Sequence, residues 1–152
     1  RLVSLGDKIT FGNATLTVLW PDEILDGQYP ETRNNFSVNV LLEYGGTTVL
    51  LTGDAQEDAE RVVGPRAGDI DVLKVGHHGS LTSTSYDFLV QTKPDIALIS
   101  MGRDNPYGHP HPVIVRRLKE AGVEIFRTDQ DGDVLLTSYG GEPIVVSRPL
   151  PF

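Results

Sequence analysis

The sequence predicts an α/β domain built on a mixed β-sheet. Two apolar runs, "IDVLKVG" around Val72 and "DIALIS" around Ile96, read as buried strands and alternate with stretches of helical periodicity. Strand-like runs at both ends of the chain are joined by turns too short to hold a crossover helix. Parallel strands in the middle and hairpins at the ends make the sheet mixed.

From the N-terminus, Ala14 to Trp20 ("ATLTVLW") reads as a strand that stops at Pro21. Residues 21–35, with two prolines, a glycine and many polar groups, read as a loop. Phe36 to Tyr44 alternates Phe36, Val38, Val40, Leu42 and Tyr44 against mostly polar neighbours, the pattern of a half-buried strand. Gly45-Gly46 turns it into "TTVLLTGD" as a hairpin. A short acidic helix is expected from Ala55 to Val63, closed by Gly64-Pro65.

After the strand at Val72, "STSYDFLVQ" reads as a helix with Thr84 and Asp87 in a capping-box arrangement. Pro112 suits a first helical turn, and Ile114, Leu118 and Ala121 share a face before Gly122 ends that helix. "VEIFRT", "DVLLTSY" and "PIVVS" complete the strands, with "DQDGD" as a turn that lacks calcium-loop spacing.

Composition narrows the function classes. At 152 residues the chain is expected to be a single domain, 1–152, and no apolar stretch approaches a membrane-spanning length. It opens on Arg1 rather than methionine and shows no signal peptide, the expectation for a piece of a longer protein. A net charge of −8 argues against a simple polyanion-binding surface, though a bound metal can supply local positive charge. Cysteine is absent, so disulfides, thiolate metal sites and a cysteine nucleophile are excluded.

The four histidines occupy two short loops, "GHHGS" (His77, His78) and "YGHPHP" (His109, His111). Both loops, and the carboxylate Asp54 in "LLTGD", follow apolar strands. In open α/β sheets the loops at the carboxyl ends of parallel strands gather on one edge, where ligands bind. A carboxylate with imidazoles suits Zn²⁺, Mn²⁺ or Fe²⁺, and such an ion lowers the pKa of bound water to roughly 7. Each group also has a bland reading. Asp54 could be a helix N-cap, and paired loop histidines are often structural. The prolines after His109 and His111 hold them extended on opposite sides, so one would serve as ligand while the other touches substrate or caps the next helix. The glycines around His77 and His78 permit close approach of a ligand. "GHHGS" is not a nucleophile elbow, which sets aside a Ser-His-Asp hydrolase through Ser80.

The succession "NNFSVNVLLEYGGTTVLLTGD", "DVLKVGHHGS", "SMGRDNPYGHPHP" and "RRLKEAGVEIFRTDQDG" closely resembles the C-terminal metallo-β-lactamase-like domain of ComEC-type competence channel proteins, from about Leu16 to Val134. The resemblance implies an αββα sandwich hydrolase, of which this chain is the C-terminal half. It makes Asp54 and His109 metal ligands, with His78 as a further candidate. It puts His77, His78 and His111 in the catalytic group, and Ser80, Asn105, Tyr107 and Asn35 at the substrate. It implies one or two divalent ions, Mn or Zn, in the full domain.

The family's upstream H-x-H-x-D-H cluster does not occur in these residues, and Asn34-Asn35 stands where many relatives have a histidine. The isolated chain is therefore expected to bind metal weakly or not at all, to be inactive or nearly so, and to self-associate through surface meant for its other half. The expected parent function is degradation of the non-transported DNA strand during natural transformation. Single-stranded DNA would be the substrate, and the membrane channel part of the same chain and the missing N-terminal half the partners. The parent would sit in a bacterial inner membrane with this domain extracytoplasmic. Hydrolysis of another ester, such as phosphorylcholine, and a non-catalytic interaction domain without metals are the alternatives.

Overall fold

The computed structural model describes residues 2–23 and 33–148, with side chains described as far as residue 143. Most of the loop expected over residues 21–35 lies outside the described residues. Seven strands form one sheet in chain order: β1 (Lys8–Phe11), β2 (Ala14–Trp20), β3 (Asn39–Tyr44), β4 (Thr47–Leu51), β5 (Val72–Lys74), β6 (Ile96–Ile99) and β7 (Glu124–Arg127). The first four pair antiparallel as a meander, and β4 to β7 run parallel, so the mixed sheet follows the expectation. The parallel part is connected by α1 (Glu57–Ala67), α2 (Tyr86–Thr92) and α3 (Pro112–Glu120). A one-turn helix, α4 (Thr128–Asp131), leads into a separate hairpin of β8 (Asp133–Thr137) and β9 (Ile144–Arg148).

Side-chain alternation splits the sheet into two environments. Leu50, Leu73, Ala97 and Ile99 point to one face and form the main core with Val63 of α1, Phe88 and Leu89 of α2, and Ile114 and Leu118 of α3. Ile114 and Leu118 are fully buried, and each such side chain contributes roughly 1.5–3 kcal/mol by leaving water. Val49, Val72 and Ile96 point to the other face, where Leu42, Leu98, Phe126 and Leu136 of β8 pack on them.

Several boundaries depart from the sequence reading, each for a local reason. The chain over Arg33–Phe36 is a 3₁₀ turn, so the strand expected from Phe36 starts at Asn39. Helix α1 runs through Gly64 and Pro65 to Ala67 and is stopped by Gly68 at φ 64°. Gly64 lies against Gln91 and Phe88 of α2, where a Cβ would stand 3.3 Å from the Phe88 ring and would make the Gln91 amide move. Asp54 is not the cap of α1, whose N-cap is Gln56. The cap of α2 is Ser85, which accepts the Phe88 N–H, in place of the expected Thr84. Ala121 is exposed as the C-cap of α3, while Ile114 and Leu118 face the core as expected. "DQDGD" is realised as α4 followed by Gly132 at φ 75°. Strand β1 carried no sequence signal, and all four of its residues are exposed.

Candidate functional site

Because β4, β5 and β6 run parallel, the loops after them open on one edge of the sheet. These are the loops that carry Asp54, the histidine pair and His109. The loop after β5 has the most unusual backbone. His77 and His78 both adopt left-handed conformations, at φ 46° and 54°. For a non-glycine residue each costs on the order of 1–3 kcal/mol, and such strain persists only where surroundings enforce it. Here the His77 N–H donates to the Gly53 carbonyl at 3.0 Å, and the Ser80 N–H returns to the His77 carbonyl at 2.9 Å. Ser83 Oγ donates to the Gly76 carbonyl at 2.8 Å. The flanking glycines serve chain packing rather than ligand approach: a Cβ on Gly76 would lie 2.9 Å from the Ala55 carbonyl, and one on Gly79 2.7 Å from Pro110 Cβ.

These constraints aim His78 at Asp54. His78 Nδ1 lies 2.6 Å from the Ser100 carbonyl, and its Nε2 is 3.7 Å from Asp54 Oδ1. A carbonyl only accepts, so Nδ1 carries the proton and a neutral His78 presents a bare lone pair to the carboxylate. Asp54 is itself held through its backbone N–H, which donates to Ser37 Oγ at 3.0 Å. His77 turns the other way, with its ring 5.7 Å from that of His109 at an edge-on 66° and within 3.3 Å of Asn34 Nδ2.

The loop after β6 presents His109. Asn105 clamps it: the Asn105 amide donates to the His109 carbonyl at 2.6 Å and accepts the His109 N–H at 3.0 Å. The His109 ring has Tyr107 stacked near it, centroids 6.0 Å apart and planes 23° apart. Its buried Nδ1 has no hydrogen-bond partner among the described residues. Desolvation, then the nearby His77, His78 and His111, hold His109 below the usual imidazole pKa. It is therefore neutral at neutral pH, the form able to act as a ligand.

The structure thus brings Asp54 to His78, and His77 and Tyr107 to His109. It sets the remaining expected residues elsewhere. His111 is the N-cap of α3, its Nδ1 accepting the Val113 N–H at 3.3 Å. Ser80 is buried, and its hydroxyl pairs with Thr82 Oγ1 at 3.2 Å. Asn35 is buried, and its amide is spent on the fold, accepting from Gln56 N–H at 3.1 Å and donating to Asp58 Oδ2 at 3.2 Å. Ser37, Ser100 and Met101 belong to this edge and carried no sequence signal, since the first two act through a backbone contact and the third by position.

Asp54, His78 and the unpartnered Nδ1 of His109 offer the donor types a divalent ion takes. They fit as part of a metal centre and fall short of a whole one. Among the described residues no three His, Asp or Glu side chains are grouped so as to hold an ion.

A family model for the metallo-β-lactamase superfamily matches residues 21–103. The chain belongs to the metallo-β-lactamase superfamily. Its similarity to named proteins runs further along the chain. It is 37% identical over 134 residues to ComE operon protein 3 of Bacillus subtilis, covering 87% of this chain and 17% of that protein. It is 45% identical over 106 residues to Recombination protein 2 of Haemophilus influenzae, 70% of this chain and 14% of that protein. It is 40% identical over 111 residues to Competence protein ComA of Neisseria gonorrhoeae, 68% and 16%. The chain spans less than a fifth of the length of these relatives, which bear out the resemblance to ComEC-type competence proteins.

Among solved structures, a putative metal-dependent hydrolase from Parabacteroides distasonis superposes with a TM-score of 0.56 at 14% identity, over 84% of this chain and 56% of that one. The diiron β-hydroxylase CmlA from Streptomyces venezuelae gives 0.54 at 13% identity, over 96% and 34%. These likenesses establish the shared α/β fold. Among the described residues no helix of this superfamily member is long and apolar enough to cross a membrane.

Proposed function

We propose that the chain is the C-terminal portion of a metal-dependent phosphodiesterase domain, of nuclease type, that degrades the non-transported strand in a DNA-uptake protein. The observation that carries this reading is the strained His77–His78 pair held beside Asp54 and His109 at the carboxyl edge of the parallel strands. Strain of this kind is retained at sites of function. The similarity to competence proteins supports the DNA setting.

In this reading Asp54 and His109 are the chain's anchors for a divalent ion, Mn or Zn, with His78 beside them. When bound, the ion supplies positive charge to a phosphate and lowers the pKa of water. His77, flanked by Asn34 and His109, faces the phosphate and stabilises charge developing on it. Asn105 positions His109 through its backbone, and His111 anchors the start of α3. The remaining ligands come from an H-x-H-x-D-H segment upstream in the parent, so the chain alone binds metal weakly and is inactive or nearly so. The parent is a bacterial inner-membrane protein with this domain extracytoplasmic, and the upstream half of the domain is its direct partner. Without that half, the chain self-associates.

The test is a quantitative metal measurement on the complete domain, with activity on single-stranded DNA and on small phosphodiesters in Mn²⁺ and in Zn²⁺. The expected result is bound metal and cleavage of single-stranded DNA, both lost in His109→Ala. Turnover of a phosphorylcholine ester instead of DNA would move the site to another substrate. A correctly folded domain without metal would make it a non-catalytic interaction module.

A further inference from the structure

We propose that the shelf formed by Tyr107, Met101 and His109 is a subsite for one unpaired nucleobase of single-stranded DNA, seated by stacking on the Tyr107 ring. The inference rests on the phosphodiesterase reading above and specifies how that site would take its substrate.

Tyr107 is 79% exposed although it lies beside the histidine cluster. A tyrosine kept for packing would bury its ring. Here the ring stacks near His109, nearly parallel to it, and most of its surface is open. Beside it is a hollow of about 180 Å³ bounded by His78, Met101, Gly102, Asn105, Tyr107 and His109, with a mostly apolar lining. Gly102 lines it, and a Cβ there would meet nothing within 4 Å, so a larger side chain can be introduced without a clash at its Cβ. The hollow therefore offers a π face, a polarisable thioether and an apolar floor, which suit a flat, weakly polar ring.

The one amide in its lining is otherwise engaged. The Asn105 amide donates to the Gly102 and His109 carbonyls and accepts the His109 N–H, so it has little left with which to read a base edge. Recognition by stacking without edge-reading is sequence-tolerant, as degradation of an arbitrary strand requires. His78 and His109 line both the hollow and the cluster, so a base seated here sets its adjoining phosphate against Asp54 and the histidines. A base still stacked in a duplex cannot present its face to Tyr107. With a net charge of −8 the chain has little to offer phosphates at long range, which leaves stacking to carry the contact.

The experiment is fluorescence anisotropy of the chain with a short labelled oligothymidylate in EDTA, where binding is read without cleavage. Parallel arms use an abasic strand of equal length and the corresponding duplex, with phosphorylcholine as a competitor. The expected result is binding of oligothymidylate in preference to the abasic strand and the duplex. Tyr107→Ala weakens it about 5- to 150-fold, the range of one lost base–aromatic stack, and Tyr107→Phe preserves it. Gly102→Leu fills the hollow and weakens binding while the melting temperature holds. Equal affinity for thymidylate and abasic strands, unchanged binding by Tyr107→Ala, or displacement of the oligonucleotide by phosphorylcholine would each overturn the subsite. Cleavage by the metal-loaded complete domain is scored separately. Base-dependent binding without cleavage removes the phosphodiesterase reading alone, and cleavage with base-independent binding removes the subsite alone.

Discussion

His78 and Asp54 face one another across 3.7 Å, ring nitrogen to carboxylate oxygen, with no proton between them when the ring is neutral. The Ser100 carbonyl, 2.6 Å from Nδ1, fixes the ring proton on the far side. Two acceptors at this distance call for a cation, a proton or a water between them. Nitrogen NMR of the ring is expected to show neutral His78 as the Nδ1–H tautomer, and an Nε2–H tautomer would refute the geometry. Asp54→Asn places an amide donor opposite Nε2 and satisfies the pair without a cation. The complete domain carrying it is expected to bind Mn²⁺ or Zn²⁺ at least roughly tenfold more weakly. Its stability should stay within about 0.5 kcal/mol, as befits a half-exposed position.

Glu60 organises the chain just beyond the histidine loop. It is buried on α1 and accepts the backbone N–H groups of Thr84 and Ser85, one per oxygen, while Arg117 of α3 donates to the Thr84 carbonyl. Thr84 sits at φ 54°, so this bracket holds a strained residue between two helices. Burial raises the Glu60 pKa above 4.5, and the two backbone N–H groups only partly oppose it. With the folded value above the unfolded one, the folded chain holds the proton more tightly. The Glu60 contribution is therefore greatest below about pH 4.5 and is lost as pH rises through the folded value. Glu60→Gln removes that pH dependence but turns an NH₂ toward a backbone N–H, leaving a buried donor unpaired. Denaturation at neutral pH is expected to show a loss of about 1–3 kcal/mol.

What the sequence made legible follows what acts locally. The parallel strands were readable because their apolar runs are buried on both faces, and Pro112 and Gly122 mark α3 by fixed backbone rules. The gathering of Asp54 and the histidine loops on one edge followed from strand direction alone. Boundaries failed where a tertiary contact overrode a local signal. Gly64-Pro65 stayed helical because α2 packs closely there, and Asn39 starts β3 because the preceding turn pins Asn35 between Trp20, Gln56 and Asp58. The roles of Ser37, Ser100 and Glu60 run through backbone groups distant in sequence, and no spacing rule reports those.

Lys74 ends β5 on the sheet face away from the helices. Its ammonium donates to the Val75 carbonyl at 2.9 Å. Burial lowers its pKa below 10.5, and the attraction of Asp54 opposes this only in part. The folded value lies below the unfolded one, so between the two the unfolded chain binds more protons and stability rises with pH. Where both states are charged, the folded one bears the desolvation cost. Lys74→Met keeps the stem and removes the charge. It is expected to melt higher than the parent at neutral pH, with the gap narrowing as pH approaches 10.5. Thermal melts across that range check this, and a constant gap would show that the ammonium is not the cause.

Gly79 joins the two histidine loops. It lies at φ 78°, its carbonyl accepts the His111 N–H at 2.8 Å, and an added Cβ would stand 2.7 Å from Pro110 Cβ and 3.2 Å from Pro110 Cα. Pro110 follows His109 directly, so a methyl at Gly79 pushes on the residue next to that ring. Gly79→Ala combines a left-handed backbone penalty of roughly 1–2 kcal/mol with an overlap cost of about 1–3 kcal/mol, and a loss of about 2–5 kcal/mol is expected. Gly12 provides the control, because at φ 58° a Cβ would meet nothing within 4 Å. Gly12→Ala carries only the backbone penalty of roughly 1–2 kcal/mol. NMR of the histidine rings separates the two: the His109 signals shift in Gly79→Ala and stay in place in Gly12→Ala. If both variants left His109 unmoved, the contact at Pro110 would not be what sets the position of His109.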